Sequence, residues 1–135
     1  MITSPKMEGV SYKLHKLEKL SHKASIDAIF QKKGKSIFKG PILLAYYKTE
    51  LFTPFACQIF VSVGKRRFKR AVDRNRIKRQ ITDLFRLQKH RIYNVISPDT
   101  QYAIGILFLG KTMPDFSELE KNVTDVIDDF IKRIS

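Results

Sequence analysis

A chain of 135 residues with 43% hydrophobic composition has room for one domain with one moderate core. Twenty-six Lys and Arg against thirteen Asp and Glu give a formal net charge of +13, which favours fast, salt-sensitive association with phosphate-bearing partners, nucleic acid first and anionic membrane second. The one cysteine, Cys57, excludes an intramolecular disulfide and a Cys-based zinc site. No apolar run approaches the ~20 residues of a membrane span, and the lysine-rich N-terminus lacks the apolar core of a signal peptide, so a cytoplasmic protein is expected.

Taken in chain order, residues 1–12 read as a mobile tail of a single domain that spans 1–135. From Ser21, Ile26, Ile29 and Phe30 recur at i, i+3, i+4 and Gly34 follows as a stop, which predicts a helix of about three turns. Gly40-Pro41 separates two strands, one around Ile37 and Phe38 and one over Ile42 to Tyr47; a third, Phe55 to Val63, is apolar at most positions and exits at Gly64.

Lys65 to Arg91 then holds twelve basic residues against Asp73 and Asp83 alone. Ile77, Ile81, Leu84 and Phe85 fall at i, i+4, i+7, i+8, the buried stripe of a helix from about Asp73 to His90. Asn75, Arg79, Thr82 and Arg86 fall on the opposite face, flanked by Arg76, Lys78 and Lys89. Lys65 to Arg70 is a loop at the helix start, where free backbone N–H groups add to the attraction for anions.

Ser97-Pro98-Asp99 is a turn and Tyr102 to Leu109 a further buried strand. Ser117-Glu118-Leu119-Glu120 has the form of a capping box, and Val123, Ile127, Phe130, Ile131 and Ile134 form the apolar stripe of a last helix, with Asp125, Asp128 and Asp129 outward. The expected fold is α+β, in the order helix-strand-strand-strand-helix-strand-helix, one mixed sheet with helices packed on it.

Val63-Gly64-Lys65-Arg66-Arg67, Arg70-Ala71 and Arg74-Asn75-Arg76-Ile77-Lys78-Arg79 resemble the signature of the bacterial ribonuclease P protein subunit, an Arg-Asn-Arg helix after a strand. Leu20 to Phe30 followed by Gly34 resembles that family's first helix, and the element order is the same. The resemblance implies an accessory subunit of a holoenzyme in which a large RNA is the catalyst and the 5′ leader of precursor tRNA is removed. It also implies a left-handed strand-helix-strand crossover, an exception to the right-handed rule.

Carried onto this chain, the resemblance puts the RNA-binding surface at Lys65, Arg66, Arg67, Arg70, Arg74, Asn75, Arg76, Lys78, Arg79 and Arg86. A leader cleft between the first helix and the sheet would include Ile26, Phe30 and an aromatic from Tyr46 or Tyr47. Thr82 stands where relatives commonly have another arginine, which trims one phosphate contact, and Ile26 where many have an aromatic, which weakens stacking. The implied partners are the catalytic RNA and precursor tRNA, with no membrane and no obligate protein partner. Mg²⁺ would serve the RNA's chemistry, none being held tightly by the protein.

Blander readings stand beside these. A charged helix face is usually only solvated, but here one sign dominates twelve to two. Ile26, Phe30 and Tyr46 could be core, the common fate of apolar residues at such spacing. A structural RNA-binding protein, such as a ribosomal protein, would share the basic surface without a use for the cleft. A metal nuclease would need Asp125 or Asp128 as ligands, and the outward placement of these residues makes them a solvated helix face. The sequence contains no nameable catalytic constellation, so the protein alone is not expected to cleave.

Overall fold

The computed structural model describes residues 18–19, 34–51 and 55–135. The predicted first helix, and with it Ile26, Phe30 and the N-terminal tail, lies outside the described residues.

Strands β1 (Lys35–Lys39) and β2 (Ile42–Lys48) form an antiparallel hairpin. Its two-residue turn places Gly40 at φ 55°, a left-handed conformation that favours glycine, and a Cβ there would come within 2.9 Å of the Asn122 side chain. Strand β3 (Cys57–Val63) leads into helix α1 (Ala71–Tyr93), then β4 (Tyr102–Phe108) and helix α2 (Phe116–Ile134). The sheet order is β1-β2-β4-β3, with β4 antiparallel to β2 and parallel to β3. This is the expected α+β arrangement, one mixed sheet with helices on it.

Alternation along the strands sorts the two faces. Ile37, Ile42, Leu44, Ile59, Ile104, Ile106 and Phe108 turn to one side and are buried with Ile77, Ile81, Leu84 and Phe85 of α1 and Leu119, Val123, Ile127 and Phe130 of α2. This is the main core. On the other face Ala45 and Ala103 are buried under the half-buried Tyr47, Leu51 and Phe60.

Strands β3 and β4 are slightly shorter than the predicted Phe55 to Val63 and Tyr102 to Leu109, whereas the helix after β3 runs further than periodicity predicts. Helix α1 begins at Ala71 and ends at Tyr93, because Ile92 and Tyr93 continue its buried side one turn beyond His90. The N-cap of α2 is Asp115, whose carboxylate accepts from the Glu118 N–H at 3.4 Å, so the capping pattern at Ser117 is displaced by two residues and Ser117 lies inside the first turn. The turn at Ser97 forms as expected, with Thr100 N–H donating to the Ser97 carbonyl.

Candidate nucleic-acid interface

The loop between β3 and α1 is basic at five of its seven positions, yet it is firmly placed. Phe68, the one apolar residue in Lys65 to Arg70, is buried and its ring lies 5.9 Å from that of Phe108. Its N–H donates to the Gly64 carbonyl, and Arg74 Nη1 donates back to the carbonyls of Phe68 at 2.6 Å and Lys69 at 2.8 Å. Lys65, Arg66, Arg67, Lys69 and Arg70 are left exposed around this anchor. Phe68 was absent from the sequence-based site, although a lone aromatic inside a basic run is the signal that would have found it.

The cations divide into engaged and unengaged sets. Arg70 Nε lies 3.6 Å from Asp73, Arg86 Nε 3.1 Å from Asp83, and Arg91 pairs with Asp128 of α2. Among the described residues, Lys65, Arg66, Arg67, Lys69, Arg74, Arg76, Lys78 and Arg79 meet no carboxylate. Asn75, Arg76 and Arg79 are exposed, whereas Lys78, Thr82 and Arg86 are half-buried. Arg74 is brought to the same flank, but two of its hydrogen bonds are spent on the loop.

Positive charge also crowds the N-terminal half of α1, where the helix dipole is itself positive and only Asp73 offsets it in the first turn. Arg70, at the N-cap, makes no side-chain capping bond. Such local conflict marks functional surfaces, because an anion placed there relieves both the mutual repulsion and the dipole.

Lys89 does not flank this surface. It is 3% exposed, and its ammonium donates to both carboxylate oxygens of Glu18, at 2.8 and 3.0 Å; Tyr93 Oη also donates to Glu18. Glu18 is 1% exposed, and Lys19 beside it bridges in parallel to Ile59 of β3. Helical phasing sees one buried stripe, but Lys89 and Tyr93 in the last turns of α1 are met on a second side by Glu18. Burial, then the charges of Cys57 and Glu18 and the hydrogen bond to Glu18, push the Tyr93 phenol well up. Burial and the Glu18 charge do the same to the Cys57 thiol.

The two tyrosines weighed for the cleft sit on opposite faces of the sheet. Tyr46, 7% exposed, faces the main core, edge-on to Phe130 with ring centres 4.9 Å apart and 6.1 Å from Tyr102. Tyr47 is on the far face with Phe60, whose ring lies over Gly105 so closely that a Cβ there would come within 2.7 Å. Both nevertheless line one cavity of about 220 Å³ at the end of β2, with Lys35, Tyr102 and Arg133, and Phe60 is a further aromatic of the far face that the sequence reading did not select. Strand alternation around Cys57, Ile59 and Val63 would have shown it.

The acidic residues of α2 are not gathered toward one another. Asp125 pairs with Lys121 at 3.4 Å, Asp128 with Arg91, and Asp129 with Lys39 at 3.2 Å. Among the described residues no group of three His, Cys, Asp or Glu could hold a metal ion, and no helix is long and apolar enough to cross a membrane.

Fold and charge together define a small α+β domain with one electropositive flank. The family model described as Ribonuclease P matches residues 14–130. A Ribonuclease P protein component from Porphyromonas gingivalis is 33% identical over 121 residues, 89% of this chain and 85% of the relative. The solved RNase P protein of Staphylococcus aureus has a TM-score of 0.67 at 20% identity, over 85% of this chain and 96% of that one. The RNase P protein of Thermotoga maritima gives 0.62 at 22%, over 87% and 98%. The chain belongs to the ribonuclease P protein family, whose members are the protein component of an endoribonuclease holoenzyme.

Proposed function

We propose that the chain binds the catalytic RNA of ribonuclease P through the flank built from the 65–70 loop and α1, and supports removal of the 5′ leader from precursor tRNA in the cytoplasm. The observation that carries this reading is the set of cations without carboxylate partners beside a helix start that already repels them. Phosphate contacts from such a surface neutralise the RNA backbone and release counterions, which supplies affinity and register without reading sequence. Arg76, Lys78 and Arg79 would meet phosphates directly, Asn75 adds a hydrogen-bonding amide between them, and Arg74 holds the loop in place as it contributes charge.

The leader would lie along the far face of the sheet, where Tyr47 and Phe60 offer ring surface; Tyr46 serves the core. Bound to the RNA, Mg²⁺ supplies charge stabilisation for phosphodiester cleavage. The chain's own cations reduce repulsion between RNA subunit and substrate, so less Mg²⁺ is needed for them to associate. Family membership disfavours a ribosomal role, and the separate ion pairs of Asp125 and Asp128 disfavour a metal nuclease.

The test is reconstitution with the organism's candidate catalytic RNA at low Mg²⁺. Precursor-tRNA cleavage should appear with both components and with neither alone. Cleavage by the protein without RNA, or no stimulation of the RNA by the protein, would refute the reading.

A further inference from the structure

A second feature lies on the sheet face turned away from α1 and α2. At the end where β3 exits, Ser62 is partnered with Leu107, Leu107 with Leu43 and Leu43 with Phe38, one row across all four strands. Partners in a ladder share a face, and strands lie about 4.8 Å apart, so the row is about 14 Å long. Ser62, Leu107 and Leu43 are half-buried, and Phe38, on the edge strand β1, is 61% exposed. At the β3 end the row opens into a cavity of about 300 Å³ bounded by Ser62, Leu107, Gly64 and the Lys65–Arg67 loop.

A single exposed phenylalanine needs no ligand, and on an edge strand it is a liability for pairing with another chain. Phe38 differs in its setting. It ends a run of three apolar side chains, Phe38, Leu43 and Leu107, closed at the other end by Ser62 and rimmed there by Lys65, Arg66 and Arg67, none of which meets a carboxylate among the described residues. The next row on this face, Ser36, Ala45, Gly105 and Phe60, has small buried residues at its centre, so it offers no ring near the β1 edge. An apolar track with an aromatic at one end and unpaired cations at the other matches unpaired RNA, which presents a π face and a phosphate at every nucleotide.

We propose that this row is a track for single-stranded RNA that runs from the Lys65–Arg67 edge of the catalytic-RNA flank to Phe38, its terminal stacking platform. The inference rests on the leader-binding reading above and adds to it a specificity residue and a path: the leader leaves the protein over the β1 edge.

The test uses holoenzyme reconstituted from the full chain and the catalytic RNA, with precursor tRNAs whose leaders are shortened one nucleotide at a time. Phe38→Ala and Phe38→Leu should each weaken binding of long-leader substrate about five- to tenfold, leave the shortest leaders and mature tRNA unaffected, and move the leader length at which affinity saturates. Phe38→Tyr, which keeps the ring, should behave as wild type, as should Phe116→Ala, an exposed aromatic at the start of α2. A fluorescent purine analogue at one leader position should be quenched by wild type and released by Phe38→Ala.

If wild type shows leader-length dependence and Phe38→Ala leaves it unchanged, the track is wrong and the general reading survives. If wild type shows no such dependence, the leader-binding reading itself falls and the track with it. A wild-type dimer that dissociates on Phe38→Ala without any change in leader binding would make the row a self-association face and overturn the RNA track.

Discussion

Arg79 and Lys89 show how differently two cations ten residues apart on one helix behave. Arg79 is exposed and meets no carboxylate among the described residues, so its charge is available to a phosphate. Arg79→Ala should weaken RNA-subunit binding and reduce the slope of log affinity against log salt by about one; an unchanged slope in a salt titration would remove Arg79 from the interface. Lys89 instead compensates a buried carboxylate. Lys89→Met should cost about 3–5 kcal/mol of stability by leaving Glu18 buried without its cation, and a Glu18→Gln second change should restore part of that loss. Urea melts of the two variants would show it. The RNA-binding salt slope of any Lys89 variant that still folds should stay at the wild-type value.

At the scale of elements, the placement of α1 and its loop matters more than their charge. Phe68 in the core and Arg74 on the loop carbonyls hold the basic run against the helix start. Arg74→Lys keeps the charge and loses the fork that reaches two carbonyls, so it should raise protease sensitivity between Lys65 and Arg70 while leaving the salt slope of RNA binding unchanged. The start of α2 is a simpler case. Asp115→Ala should cost about 0.5–1 kcal/mol through loss of the cap, and Ser117→Ala should stay within about 0.5 kcal/mol of wild type; equal effects in thermal melts would contradict the assignment of Asp115 as N-cap. Periodicity located both helices, but it placed their ends by residue type. Asp115 and Ser117 are both good caps, and only the path of the backbone chooses between them.

At the scale of the molecule, Glu18, Lys89, Tyr93 and Cys57 form a buried polar cluster joining the N-terminal segment, α1 and β3. Cys57 and Tyr93 are both raised in the folded state, so the folded chain keeps protons that the unfolded chain sheds. Their contribution to stability is full below the unfolded values, about 8.5 for the thiol and about 10 for the phenol, and falls as pH rises past them. Urea midpoints measured from neutral to strongly alkaline pH should therefore decline in two overlapping stages. Cys57→Ala should abolish the earlier stage, and a midpoint that stays flat throughout would contradict the buried, protonated pair.

Composition and local pattern by themselves determined much of this protein: a basic chain, its strands and helices, the two-faced character of α1, and a signature that points to one family. These are readable because charge adds over a segment and because periods of two and 3.6 residues report a single buried side. Tertiary structure alone decided that Lys89 is interior, that Tyr46 rather than its neighbour Tyr47 faces the helices, and that Phe38 shares a row with Leu43, Leu107 and Ser62. Each of those facts depends on what another, distant segment places against the residue. Glu18 lies 71 positions from Lys89, and strand register joins Phe38 to a residue of β3 through two intervening strands. No local period carries that information, because burial on a second side and pairing across a sheet exist only once the chain has closed on itself.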